Sequence, residues 1–224
     1  MKHAIVGLGY IAPRHIKAIE DNGGELICAC DIEESKKAKL PHGISFFTSF
    51  DEMLESEAFK QVDYLSICTP THLHAEMIIK GLKAGKKVIC EKPVVLDLKD
   101  LEGIDTTNLN IILQLRYDDK LKEIRNTITS IRPHLVQMDS YIERGEWYWK
   151  SWKADNSKSG GLLLNIGIHY LDLLTWIFGS SNFETLYGDD HCYTGSIKFD
   201  NCFASFRISI DAPHDNQHRI LTID

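Results

Sequence analysis

Residues 7–12 read Gly7-Leu8-Gly9-Tyr10-Ile11-Ala12, a G-x-G-x-x-A turn between an apolar run, His3–Gly7, and a helical one, Pro13–Asn22. Strand, turn and helix in that order are the context this fingerprint requires. Gly7 permits the tight turn. Gly9 lets the backbone approach a pyrophosphate, and Ala12 lets the helix pack close to the strand. Tyr10 and Ile11 complete the turn, and the free N–H groups of the helix start face the phosphates. Asp31 ends the second apolar run, about 20 residues on, where a carboxylate accepts hydrogen bonds from the adenosine ribose. An acid there repels a 2′-phosphate, so NAD is favoured over NADP. The plainer reading is a glycine-rich turn with a capping Asp. Strand, turn, helix and acid together favour dinucleotide binding.

The rest of the first half repeats this alternation. Glu25–Asp31, Phe46-Phe47, Tyr64–Thr69, Lys87–Cys90 and Ile111–Leu115 read as strands, and Ser49–Glu55, Leu73–Ala84 and Asp97–Ile104 as helices. Gly23-Gly24 and Gly85 close two helices at their C-terminal ends. Continuous apolar strands alternating with helices imply a parallel sheet covered on both faces. After Arg116 the pattern changes. Lys120–Ile131 is a helix stopped by Pro133, Leu135–Glu143 alternates like an antiparallel strand, and Arg144–Gly161 is a loop rich in Trp and Lys. Ile168–Phe178 is a strong helix stopped by Gly179. Gly195–Phe199 and Cys202–Ile210 flank Asp200-Asn201 as a hairpin. Arg219–Ile223 is a last apolar strand, left as an uncovered edge. The expected fold class is α/β: a Rossmann doubly wound parallel sheet over residues 1–116, then an α+β domain with a mostly antiparallel sheet over 117–224.

Composition narrows the function classes. The 224 residues are little for two full domains, and 43% hydrophobic with 25% charged residues is ordinary globular composition. Twenty-five Lys and Arg against 32 Asp and Glu give a net charge of −7, which disfavours a general nucleic-acid binder. No uninterrupted apolar stretch approaches the roughly 20 residues of a membrane span, and no secretory signal precedes the first strand. The six cysteines, Cys28, Cys30, Cys68, Cys90, Cys192 and Cys202, form no CxxC pair and no zinc spacing. Free thiols in a reducing cytoplasm are the plain reading, with no metal site expected.

Three further segments carry chemistry. Cys68-Thr69-Pro70-Thr71-His72-Leu73-His74 ends a strand and opens a helix, where ligands of such sheets sit. Pro70 forces an extended turn that can wall a cofactor. His72 and His74 are read as capping and packing groups ahead of metal ligands, since no third ligand is near. Glu91-Lys92-Pro93 follows the next strand. Pro93 breaks regular structure, so Lys92 projects into the crevice. Beside a cationic nicotinamide its pKa falls, and it can help take a hydroxyl proton. A surface Lys–Glu pair is the equal alternative. Asn165-Ile166-Gly167-Ile168-His169-Tyr170-Leu171-Asp172 opens the strong helix. His169 in its first turn would be kept neutral by the positive helix end, as a general base requires. Asp172, three residues on, can orient the ring. A core histidine bonded to a neighbour is the competing reading.

Together these pieces resemble the Gfo/Idh/MocA family of nicotinamide-dependent sugar oxidoreductases. The resemblance runs through the G-x-G-x-x-A turn, Glu91-Lys92-Pro93 and Gly160-Gly161 to Gly167-x-His169-x-x-Asp172. Further stretches are similar to the subgroup that oxidises UDP-N-acetyl-glucosaminuronic acid (UDP-GlcNAcA) at C3 in bacterial O-antigen synthesis. These are Gly9–His15, Tyr64–Pro70, Ile112–Arg116, Arg144-Gly145-x-Trp147-Tyr148, Ser151-Trp152-Lys153 and Asn165-Ile166-Gly167. Asn165 stands where many of the wider family carry Asp, as in that subgroup.

The resemblance implies a function. Lys92 and His169 are the family's active-site pair, and the C3 hydroxyl loses its proton to His169, or to Lys92 in a relay. Asn165 would bond a sugar hydroxyl. Arg116 is the candidate for the uronate carboxylate or a phosphate, and Trp147, Trp152 and Lys153 would line the sugar-nucleotide cleft. Thr69, Pro70, His74, Glu91 and Lys92 join the glycine turn and Asp31 in holding NAD. A 2-oxo acid is a possible second substrate, and homo-oligomers through the C-terminal sheet are expected. Members are usually longer, so the second domain is expected to be truncated. Two other readings stand beside this one: a dehydrogenase of a free sugar or cyclitol, and a catalytically inactive dinucleotide-binding fragment or sensor.

Overall fold

Continuous apolar runs cannot sit at a surface, and in the computed structural model, which describes residues 1–128 and 134–224, they form the interior of a sheet. The chain divides into two compact units, 1–112 and 113–224. In the first, β1 (Lys2–Val6), β2 (Glu25–Cys30), β3 (Ser45–Phe47), β4 (Tyr64–Ile67), β5 (Lys87–Cys90) and β6 (Leu109–Ile111) make one sheet in the order β3-β2-β1-β4-β5-β6. Every pairing is parallel. The order reverses between β1 and β4, the switch point at which ligands of doubly wound sheets bind. The helices α1 (Ala12–Asp21), α2 (Phe50–Glu55) and α3 (His74–Lys83) connect these strands. Ile5, Leu8 and Ile19 pack in one core cluster, and Val6, Leu65, Ile67 and Ile78 in another.

The second unit carries α4 (Asp119–Thr127), β7 (His134–Tyr141), α5 (Ile168–Phe178), β8 (Ser181–Gly188), β9 (Cys192–Phe199), β10 (Cys202–Ser209) and β11 (His218–Ile223). Its sheet runs β11-β7-β10-β9-β8. Only β7 and β10 pair in parallel; the others are antiparallel. The β9–β10 hairpin and the edge strand β11 match the sequence reading. The expected end of the helix at Ile131 and its stop at Pro133 lie outside the described residues. Met138, Leu174, Ile197, Phe206 and Ile208 belong to one core cluster here.

Several elements differ from expectation. The sixth strand runs over Leu109–Ile111 rather than Ile111–Leu115, with a 3-10 turn over Gln114–Tyr117, and the expected loop Arg144–Gly161 holds short helices at Glu146–Trp149 and Asn156–Ser159. Asp97–Ile104 forms no α-helix, only a 3-10 turn over Leu98–Leu101. Its Leu98 is 76% exposed, so helical spacing there marks no buried face. The strand β8 was not foreseen. It has no fully buried residue, and so no apolar alternation to read. The stretch Asn156–Phe178 passes as a membrane span by length and composition alone, against the sequence reading, and half of that window is buried in the protein. Leu162, Ile166, Tyr170 and Leu174 within it are part of the second unit's core.

Candidate functional site

In the first unit the site grows from the carboxyl ends of β1, β2, β4 and β5. Gly7 leaves β1 with φ +86°, and a Cβ there would lie 2.7 Å from the carbonyl carbon of Cys68. Glycine is therefore required twice, by dihedral and by the close passage of the β4 exit. Around Gly9 a Cβ would meet nothing within 4 Å. Ala12 is buried at the start of α1, which has no side-chain cap on its N-terminal N–H groups. Tyr10 is exposed, with the Arg14 guanidinium 5.8 Å from its ring centre. An open glycine and an uncapped helix start fit a dinucleotide's phosphates.

Asp31 has a second task. Its Oδ2 accepts from the Leu8 N–H at 2.7 Å and its Oδ1 from Glu33 N–H at 2.9 Å. The carboxylate that would bind a ribose also fixes the glycine turn, while each oxygen keeps a lone pair to accept again.

The β5 exit is held from both sides of Lys92. Glu91 Oε1 accepts a hydrogen bond from His15 Nε2 at 2.9 Å, joining the loop to α1. Burial alone would raise the Glu91 carboxyl, but the hydrogen bond and charge of His15 and the charge of Lys92 hold it below its ordinary value. On the other flank, His74, 1% exposed, places Nδ1 2.9 Å from the Pro93 carbonyl and Nε2 2.9 Å from the Thr69 carbonyl. Burial pushes its pKa down against those two carbonyls and that of Val94. The His74 ring is thus spent on main chain, in keeping with loop packing. The Thr69 hydroxyl lies 3.4 Å from Met77 Sδ, and Pro70 precedes the turn Thr71–Leu73. The Lys92–Pro93 peptide is cis.

In the second unit the Asn165 segment is not the start of a helix. The backbone is helical over 161–178, with a π turn across Leu163–Gly167 leading directly into α5. His169 is therefore inside a helical run, and no free helix end acts on its ring, contrary to expectation. A Cβ on Gly167 would lie 3.0 Å from Ile208 Cδ1, so glycine lets this turn press onto β10. Asn165 is buried and hydrogen-bonds Tyr148, whose pKa burial nonetheless raises.

Asp172 has a partner that spacing did not foresee. Arg116 donates from Nε to Oδ2 at 2.8 Å and from Nη2 to Oδ1 at 2.5 Å. Each oxygen of the expected ring-orienting carboxylate accepts one of these bonds, and the charge of the expected anion anchor is balanced there. The pairing raises the Arg116 pKa. Trp147, 54% exposed, and Lys153 do come together, with Lys153 Nζ 5.3 Å from the indole centre. Trp152 is half-buried in the turn Trp152–Ala154. Two residues were missed. His15 has a signal in its place on the helix after the glycine turn. Arg144, 5.9 Å from the Trp147 ring centre, has one in its position three residues before that Trp.

The family model for oxidoreductases with an NAD-binding Rossmann fold, GFO_IDH_MocA, matches residues 1–108, and the model of its C-terminal alpha/beta domain matches 130–220. The chain belongs to the Gfo/Idh/MocA oxidoreductase family. Its first unit is an NAD-binding Rossmann domain. The WlbA (WbpB) dehydrogenase of Thermus thermophilus, solved in complex with NAD and UDP-GlcNAcA, matches with a TM-score of 0.89 and 31% identity. The match covers 100% of this chain and 81% of that one. The myo-inositol 2-dehydrogenase of Thermotoga maritima is 27% identical over 192 residues, 80% of this chain and 55% of that protein. Glucose-6-phosphate 3-dehydrogenase of Bacillus subtilis is 26% identical over 196 residues, 80% of this chain and 54% of that one. The chain spans about half the length of the curated relatives it matches.

Proposed function

We propose that the protein is an NAD-dependent dehydrogenase that oxidises the C3 hydroxyl of UDP-GlcNAcA, in the synthesis of a bacterial surface polysaccharide. The observation that carries this reading is the likeness over the whole chain to a dehydrogenase solved with NAD and UDP-GlcNAcA. The glycine turn, Asp31 and the loops at Thr69-Pro70 and Glu91-Lys92 hold the cofactor. NAD bound there supplies the hydride acceptor. His169 takes the proton of the hydroxyl, directly or through Lys92, and Asn165 bonds a sugar hydroxyl. The same WlbA solved with NAD and alpha-ketoglutarate supports a 2-oxo acid as second substrate.

A free sugar or cyclitol is the second reading, favoured by the inositol dehydrogenase among the relatives. The cations and indole at Arg144, Trp147 and Lys153 weigh against it, because an uncharged polyol offers them no anion. Self-association through the second sheet is part of the proposal, supported by exposed Leu135, Phe203 and Ile220. So is a cytoplasmic setting, supported by the six free thiols.

The test is product formation by the purified chain with NAD and UDP-GlcNAcA, with and without 2-oxoglutarate, beside the His169→Ala variant. The reading predicts product from the wild type and a loss of about 100-fold or more in the variant, with NAD affinity retained. Turnover that survives the substitution contradicts the assignment of His169.

A further inference from the structure

Charged side chains in a folded protein are normally compensated where they lose water. In the second unit most are. Arg116 pairs with Asp172, and Arg207 donates to Asp139 at 2.9 and 2.6 Å. Arg144 breaks the rule. It is half-buried at the end of the β7 segment, and among the described residues no carboxylate pairs with it. Its charged neighbour is another cation, Arg219 on β11, which also has no carboxylate partner there. The Arg219 Nε donates to the Tyr170 hydroxyl at 3.0 Å. Burial and the charge of Arg219 both pull the Arg144 pKa down, and only the Tyr148 and Tyr170 hydroxyls oppose them.

The charge of the exposed Arg219 acts against that of the half-buried Arg144. That arrangement gains stability when an anion arrives, because each group donates charge-assisted hydrogen bonds to carboxylate or phosphate oxygens. The surroundings suit a sugar nucleotide. Trp147 carries the Arg144 guanidinium 5.9 Å and the Lys153 ammonium 5.3 Å from its ring centre. Tyr148 hydrogen-bonds Asn165, the residue read above as a sugar-hydroxyl partner. Arg116, the candidate that sequence alone singled out, has its Nε–Nη2 edge closed by Asp172.

We infer that Arg144 and Arg219 form the anion-recognition subsite of the second unit, taking a carboxylate or phosphoryl group of the substrate. This rests on the proposed function for the identity of that substrate. The subsite also accounts for a half-buried guanidinium that has no carboxylate partner among the described residues.

Calorimetry on the full chain tests it with four probes: UDP-GlcNAcA, UDP-GlcNAc, UDP and 2-oxoglutarate. Arg144→Gln and Arg219→Gln are expected to weaken UDP-GlcNAcA binding by about 10- to 100-fold, as loss of a charged hydrogen bond implies. Arg144→Lys should recover part of that loss. If UDP-GlcNAc and UDP bind the Gln variants as they bind the wild type, the group held is the uronate carboxylate. If all nucleotide probes weaken together, it is the diphosphate. If 2-oxoglutarate alone weakens, the anion is that of the second substrate. A purely structural arginine would lower the melting temperature when replaced. Here the melting temperature of ligand-free Arg144→Gln should hold or rise, because a repulsion is removed. Unchanged affinity for all four probes in both Gln variants overturns the subsite, as does wild-type protein that binds none of them. Anion binding lost in the Gln variants without any turnover in the wild type would instead remove the dehydrogenase reading and leave the subsite standing.

Discussion

The two units treat buried charge in opposite ways. In the first, Glu91 is matched to His15, Asp31 to two main-chain N–H groups, and the His74 ring to two carbonyls. These groups of the candidate site are matched within the unit, although the buried Thr71 hydroxyl is not, and the space left beside Gly9 is open. In the second, Arg116 and Asp172 cancel, while the half-buried Arg144 and the exposed Arg219 near it have no carboxylate partner among the described residues. A frame built to position a common cofactor can satisfy itself before the cofactor arrives. Under the proposed function, a surface that selects one anionic substrate keeps charge in reserve for it. Matched loop groups in one half and cations without a carboxylate in the other are what the following changes would break or sharpen.

The largest effect is expected at Gly7→Ala. A Cβ there clashes with the Cys68 backbone at a positive φ, so the first unit should lose about 3–5 kcal/mol in denaturant unfolding. Gly9→Ala, with nothing within 4 Å, should leave that stability unchanged and lower NAD affinity instead. Equal stability loss at both positions would erase the distinction between a glycine the fold needs and one the ligand needs. Next is His15→Leu. It leaves the Glu91 carboxylate buried without its partner, at a cost of about 3 kcal/mol. His15→Gln, which keeps a donor, should restore most of it. Arg116→Leu should cost less, about 2 kcal/mol, since the Arg116 side chain is 39% exposed while the Asp172 it leaves behind is 14% exposed.

The smallest effect is in the pH dependence, and its sign differs between units. His3 and His74 have pKa values lowered by burial, so the unfolded chain takes up their protons first. First-unit stability should fall as pH drops below the ordinary histidine value of 6.5. It should fall again below 4.5 as Glu91, whose folded pKa is lowered, becomes protonated. His191 is the reverse case. Its hydrogen bond to Asp211 raises its pKa, so its contribution is complete below 6.5 and is lost as pH rises through the folded value. Hydrogen exchange resolved by unit, between pH 5 and 8, should show the first unit loosening on the acid side while the second does not follow it there.

Most of the first unit was legible in sequence, and the physics explains why. Parallel strands covered on both faces must be apolar throughout, and turns such as Gly7–Ala12 have few alternative uses. The helix expected over Asp97–Ile104 failed because Leu98 and Leu101 matched helical spacing on a segment with no fully buried residue. In the second unit β8 was invisible because none of its residues is fully buried. The site followed the same division. Local motifs proposed Lys92, His169 and Asn165 as site residues, but could not show the pairing of Arg116 with Asp172, 56 residues apart. Nor could spacing reveal that Arg144 meets Arg219, since that meeting depends on β11 lying against β7. Charges matched over long separations are a property of the fold, and only local ones can be read along a chain.

The central claim is that the first unit serves NAD and the second selects an anionic sugar nucleotide. The most direct measurement compares kcat/KM of the full chain, with NAD, for UDP-GlcNAcA, UDP-GlcNAc and myo-inositol. The account predicts UDP-GlcNAcA ahead of myo-inositol by about 100-fold or more, the scale expected when a substrate leaves charged hydrogen-bond donors unsatisfied. Equal or greater turnover of myo-inositol would contradict it and assign the chain to the cyclitol dehydrogenases.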